Sequence, residues 1–279
     1  MSNKSLHLRP NLTLNFAIVT LLLIFAIGPI VVLIFNSLKS PVDFGLNPLG
    51  FPRHLVWSNF PRAWLEGNFS VTVPNTLILV VGTVLGVLVL GGMAAYAISR
   101  LHLPGGSGLT MYFLVSSSLP IQLFLVPLFF LWHSVGLANN IFGLIIIYIA
   151  VNSPFSIFLM RAYMVQIPDE FEDAARMDGA GPFQIFFRII VPIARPALLT
   201  VGLVVGLAVW NEYLLATVFL SDPSHYTIVT SYYNFQTQFS RDWGLTSAAA
   251  IMMIAPLLAL FLSLQRRFVE GLTQGGIKG

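Results

Sequence analysis

Six long apolar blocks follow one another along the chain, and the polar residues collect between them: 12–35, 73–98, 109–132, 140–160, 197–220 and 245–264. Each is close to or beyond the roughly 20 apolar residues that a helix needs to cross a bilayer core. The spacing predicts six transmembrane helices in an all-α, polytopic membrane protein. Gly28-Pro29 interrupts the first block, and Pro120 and Pro127 predict a kink in the third. The fourth carries Asn152, Ser153 and Pro154, and the fifth contains Trp210-Asn211-Glu212-Tyr213. The first block is longer than the apolar core of a signal peptide, about 7–15 residues, and no clear cleavage site follows it. It reads as an uncleaved helix.

One polar stretch, 168–196, has a pattern of its own. Of the chain's 11 acidic residues, Asp169, Glu170, Glu172, Asp173 and Asp178 all fall inside it. A charged island between two membrane-length blocks must face water. Pro168 suits the first turn of a helix, and the acidic residues after it complement the helix dipole. Phe171, Ala174, Ala175 and Asp178 share a face at helical spacing. Gly179-Ala180-Gly181-Pro182 stops the helix, with glycine suited to a positive-φ cap. A second short helix follows with Phe183, Phe186, Phe187 and Ile190 on one face, ended by Pro192 and Pro196. The expectation is a helix–turn–helix standing in water.

Composition narrows the class. Charged residues are 9% of the chain and hydrophobic ones 56%, against roughly 25% charged in a soluble domain. Mean hydropathy is +0.83. The 279 residues leave room for six spans and modest loops, not for an added soluble catalytic domain. With no cysteine, disulfides and thiolate metal sites are excluded. Lys and Arg set the orientation. With the N-terminus cytoplasmic, the inner segments hold Lys4, Arg9, Arg100, Arg161, Arg176, Arg188, Arg195, Arg266, Arg267 and Lys278 of the 14 basic residues. Both termini and the island are therefore expected inside, facing ATP.

The chain never places Lys directly after Gly, so it lacks the phosphate-binding Gly-x-x-x-x-Gly-Lys-Ser/Thr loop. No metalloprotease or hydrolase signature occurs, and the five histidines are scattered. The chain is read as non-catalytic. Energy for transport must come from a partner, with the island as docking surface.

The island resembles the loop with the Glu-Ala-Ala motif of ABC-importer permeases. That loop reads Glu-Ala-Ala, three residues, Gly, nine residues, Ile, one residue, Leu-Pro. Here stand Asp173-Ala174-Ala175, Gly179, Ile189 and Val191-Pro192. Asp replaces the usual Glu, one carbon shorter, and Val replaces Leu. Asp178-Gly179-Ala180 and Trp210-Asn211-Glu212 are similar to the sugar-importing branch, and 271–279 is similar to the tail of the smaller maltose-type permeases. The resemblance covers the chain from its first span to its last residue. It implies one permease domain, 1–279, in a binding-protein-dependent importer of the maltose/multiple-sugar type. That importer sits in the cytoplasmic membrane of a bacterium or archaeon.

The implied partners are a second permease in a heterodimer, two ATPase subunits carrying ATP and magnesium, and an extracytoplasmic solute-binding protein. No cofactor is implied on this chain. The coupling loop, 168–196, would meet the ATPases through Glu172, Asp173, Ala174, Ala175, Asp178, Gly179, Phe183 and Pro192. The tail, 271–279, would reach the ATPase dimer interface through Gln274, Gly275, Gly276 and Lys278, where the other reading is a frayed end. Closure of the ATPases would move the island and drive alternating access. The competing class is an ion-coupled secondary transporter or channel, which needs buried ion-coordinating groups.

The candidate substrate path comprises Ser117, Gln122, Asn152, Asn211 and Glu212; such groups otherwise act as inter-helix glue. Glu212 has two readings: a polar group on the path, or a carboxylate bonded to a neighbouring helix or reaching outer water. Tyr232, Tyr233 and Phe235, in the aromatic segment 221–244, are candidates for the binding-protein contact, against an interfacial aromatic belt. The sequence does not name the sugar.

Overall fold

The computed structural model describes residues 12–101 and 103–276, with side chains described over 15–101 and 103–263. Among these residues every regular element is helical. The first helices are α1 (Leu12–Ser37), α2 (Pro41–Leu46) and α3 (Asn59–Glu66). Next come α4 (Phe69–Gly86), a π-helical segment (Val87–Gly91) and α5 (Gly92–Arg100) in one continuous run. They are followed by α6 (Gly106–Ser117), α7 (Leu125–Ser134) and α8 (Ile141–Met164). The island contains α9 (Glu170–Met177), α10 (Pro182–Ile185), a second π segment (Phe186–Ile190) and α11 (Val191–Ile193). After it come α12 (Arg195–Trp210), α13 (Leu214–Phe219), α14 (Ile228–Gln238) and α15 (Trp243–Gly276).

Among the described residues four helical stretches are long and apolar enough to cross a membrane: Asn15–Ser37, Phe69–Arg100, Ile141–Met164 and Trp243–Ser263. Two bent pairs raise the count to as many as six. Gly106–Ser117 with Ile121–Ser134 bends by 88°, and Pro182–Ile193 with Arg195–Trp210 by 80°.

Three proline expectations change. Pro29 lies inside an unbroken α1: one missing N–H frees a single carbonyl, which a long apolar helix tolerates. The third block bends at Ser118–Pro120, where α6 ends, while Pro127 sits inside α7. Pro192 lies within α11, and the chain turns at Ala194 instead. The fifth block is also divided, since α12 stops at Trp210 and α13 begins at Leu214.

The chain forms two compact units. One comprises Met1–Gly67 and Phe235–Met252. Here Lys39 is buried and donates to Asn36 Oδ1 at 2.9 Å and the Asn47 carbonyl at 2.7 Å. Asn59 donates to the carbonyls of Ser37 and Lys39. A Cβ at Gly244 would lie 2.2 Å from the Lys39 carbonyl oxygen, so only glycine allows this approach.

The second unit, Asn68–Asn234 with Met253–Gly279, holds the larger core. Leu144, Ile147 and Tyr148 of α8 pack with Leu79 of α4, Ala95 of α5 and Val201 and Val205 of α12. The segment before α14 is tied to α4: Asn75 Nδ2 donates to the carbonyls of Ser224 and Tyr226, and Ile228 N–H donates to Thr76 Oγ1.

Candidate functional site: the polar island and the broken fifth span

Helix α9 begins at Glu170, with Pro168 just before its N-cap, Asp169. At its end the N–H of Gly179 donates to the Arg176 carbonyl at 3.0 Å and that of Ala180 to the Ala175 carbonyl at 2.9 Å. Gly179 has φ +81°. These two bonds and a left-handed glycine make the Schellman cap, which needs glycine for its backbone angle. Gly181 then opens α10, its N–H donating to Gln184 Oε1 at 3.2 Å.

The two helices do not present the expected faces. Glu172 and Ala175 turn inward, Glu172 to 2% exposure, while Phe171, Ala174 and Asp178 stay exposed. Glu172 and Ala175 therefore leave the set of residues free to meet an ATPase. Glu172 Oε2 accepts from Tyr96 O–H at 3.3 Å and Arg176 Nη2 at 3.1 Å, and Oε1 lies 3.3 Å from Arg100 Nε. The expected face of the second helix is split too. Phe186 and Ile190 are buried, whereas Phe183 and Phe187 are exposed. Ile185, beside Phe186, is buried as well, so the inward face is centred on 185, 186 and 190 and leaves Phe183 and Phe187 outside it. The π segment Phe186–Ile190 accommodates Pro192, whose ring opposes an α-helical carbonyl four residues earlier.

What remains outside includes four large apolar side chains among charged ones. Phe171 is 51% exposed, Met177 88%, Phe183 72% and Phe187 50%. They share the island with exposed Asp173, Asp178, Gly179 and Pro192. Asp173 pairs with Arg176 at 3.1 Å. Of the tail residues, Gln274, Gly275 and Gly276 belong to the long helix α15, which runs through the region expected as a separate tail. Their side chains, and Lys278 entirely, lie outside the described residues.

The five path candidates are engaged in different ways. Ser117 lines a cavity of about 580 Å³ with Ser116, Ser153, Tyr112 and Trp132 at the bend between α6 and α7. Gln122 is exposed in the short turn between those helices. Asn152 and Asn211 spend their amide N–H groups on their own helices, donating to the carbonyls of Tyr148 and Leu207 at 2.8 Å each. Glu212 lies in the break between α12 and α13. Its Oε2 accepts from Tyr148 O–H at 2.6 Å and Ala216 N–H at 3.0 Å, and Oε1 from Leu215 N–H at 2.7 Å. The carboxylate caps α13 and ties it to α8, matching the inter-helix reading. The sequence signal is the apolar run resuming at Leu214, two residues after Glu212, which also fits an uninterrupted span.

Among the binding-protein candidates, Phe235 is interior, at 2% exposure, with its ring 4.7 Å from Phe239. Helix α14 turns that side chain inward, so it is withdrawn from any surface. Tyr232 is half-buried; Tyr233 is 47% exposed, its ring 4.4 Å from that of Tyr213 and tilted by 40°. Among the described residues no cluster of three or more His, Cys, Asp or Glu could hold a metal ion.

Residues 87–274 match the family described as the binding-protein-dependent transport system inner membrane component. Similar proteins include the diacetylchitobiose uptake system permease protein NgcG of Streptomyces coelicolor, 30% identical over 94% of this chain and 87% of the relative. The trehalose transport system permease protein SugB of Mycobacterium tuberculosis is 34% identical over 93% and 95% of the two chains. A chain from the crystal structure of a bacterial ABC transporter involved in import of the acidic polysaccharide alginate superposes with TM-score 0.77. It is 25% identical, and the match covers 92% of this chain and 95% of that one.

Proposed function

The chain belongs to the family of inner membrane components of binding-protein-dependent transport systems, and from that premise we infer that it is a permease subunit of an ATP-driven sugar importer. The relatives named for diacetylchitobiose and trehalose uptake support carbohydrate as the cargo class. The assembly we propose has a second permease, two ATPase subunits that carry ATP and magnesium, and an extracytoplasmic binding protein. Its place is the cytoplasmic membrane of a bacterium or archaeon, with both termini inside.

One observation carries the coupling role. Phe171, Met177, Phe183 and Phe187 are exposed on a segment whose charge places it in water. Large apolar side chains left exposed on a water-facing segment are the kind of surface that a protein partner covers. The ATPase is the partner proposed for that contact. Its closure pushes the island, and the island passes the motion to the helices. The hydrogen-bonded placement of Glu212 supports a structural carboxylate rather than an ion-coupling one, which disfavours a secondary transporter.

The test is co-purification. Met177→Asp with Phe183→Asp should abolish recovery of the ATPase subunits at normal permease levels in the membrane. Wild-type recovery would reject the island as the docking surface.

A further inference from the structure

We propose that α5 and the island form one rigid lever, held by the buried Arg100–Glu172 pair and pivoting at the π segment Val87–Gly91. The inference rests on the coupling role proposed above and adds the route by which motion enters the helices. By chain connection the island joins only α8 and α12. Its tightest polar anchorage is to α5, 72 residues before Glu172.

Arg100, at the end of α5, is 7% exposed. Its Nε faces Glu172 Oε1 at 3.3 Å, and Nη1 pairs with Asp169. Nη2 donates to the Met164 carbonyl at 2.8 Å and to the Ile167 carbonyl. One guanidinium thus grips the end of α8, the linker and the start of α9. Only the planar, many-donor head of arginine can do so. Tyr96, one turn earlier, donates to Glu172 Oε2 at 3.3 Å, and its ring lies 5.4 Å from that of Phe186 in the second island helix. One turn earlier again, a Cβ on Gly92 would sit 3.4 Å from Phe186 Cζ. Residues 92, 96 and 100 therefore make a single stripe, spaced i, i+4, i+8, against both island helices. A buried charge cannot be left unpaired cheaply, so α5 must follow the island.

The other end of α5 is built to bend. The α4–α5 run passes through π turns at Val87–Gly91, where the α-helical hydrogen-bond ladder is interrupted. Gly91 and Gly92 meet at that point, and both are buried. A Cβ on Gly91 would lie 3.2 Å from Met160 Cε, so α8 passes close to the joint. Paired glycines beside a π turn are where helices kink. Motion of the island then reaches α5 and the gripped end of α8 directly, while α4, beyond the π turn, stays packed on α12.

The natural chain has no cysteine, so spin labels can be placed at introduced ones. Two pairs are needed in the complete complex, with its ATPases, in lipid nanodiscs: Leu101→Cys with Arg188→Cys, and Val81→Cys with Arg188→Cys, Arg188 being exposed on the second island helix and outside the proposed ATPase contact. Pulsed electron resonance distances are compared without nucleotide and with trapped ATP. The 101–188 pair should keep one narrow distance in both states, while the 81–188 distance changes. Arg100→Gln should broaden the 101–188 distribution and lower sugar moved per ATP hydrolysed by about tenfold, within the range that coupling energies span. Arg100→Lys should fall between. A 101–188 change as large as that of 81–188 overturns the lever, as does wild-type transport per ATP in Arg100→Gln. If Arg100→Gln does not assemble, Tyr96→Phe is scored by the same two readouts, and wild-type values for both overturn it. Failure of the unmutated chain to hold ATPases defeats the coupling role as well. A lever that fails in a working complex leaves that role standing.

Discussion

Replacing Glu212 by Gln isolates what its carboxylate does. Both oxygens now accept: Oε1 from Leu215 N–H at 2.7 Å, Oε2 from Ala216 N–H at 3.0 Å and Tyr148 O–H at 2.6 Å. An amide has an oxygen on one side only and two N–H donors on the other. Whichever way Gln turns, a donor meets a donor at the start of α13. A hydrogen bond to an ionised group contributes about 1.5–3 kcal/mol in water-soluble proteins. Between membrane helices the loosened state finds other partners, and the cost falls to about 1–2 kcal/mol. That is the loss expected for Glu212→Gln and, through the hydroxyl alone, a smaller one for Tyr148→Phe. The double variant should lose less than the sum of the two, because both remove the same bond. The assay is thermal unfolding of the purified complex, with sugar uptake in proteoliposomes on the same preparations. Unchanged stability with altered uptake in Glu212→Gln would refute the structural role and put the carboxylate on the sugar path. Strict additivity would refute the Tyr148 contact.

Two further outcomes can be checked in the same system. Gly179→Leu should uncouple or disassemble the complex while leaving the permease in the membrane. Nothing lies within 4 Å of a Cβ there, so the cost is the φ of +81°, about 1–2 kcal/mol for a residue other than glycine. ATPase co-purification and uptake at wild-type values would sink it. The segment from Leu272 onward should be protected from limited proteolysis when the ATPases are bound, and equal cutting with and without them would reject the contact.

The sequence by itself determined the class and the outline. Apolar blocks of about 20 residues or more require helices, since a bilayer admits only helices and closed barrels and a barrel strand needs only about 9–11 residues. The helix cap at Gly179 was legible because it depends on residues within five positions of one another and on an angle that glycine adopts freely. Tertiary structure decided what depends on distant parts of the chain. Nothing near Glu172 announces Tyr96 or Arg100, which turn a residue expected to face a partner into a buried anchor. Periodicity put Phe183, Phe186, Phe187 and Ile190 on one face because it assumes 3.6 residues per turn. Packing in the folded chain instead centres the inward face on Ile185, Phe186 and Ile190 and leaves Phe183 and Phe187 at the surface. Glu212 looked like one polar residue inside a span because hydropathy counts residues and not hydrogen bonds. At the break, 211–213, the carboxylate that caps α13 is held by Tyr148, 64 residues away, and only folding brings the two together.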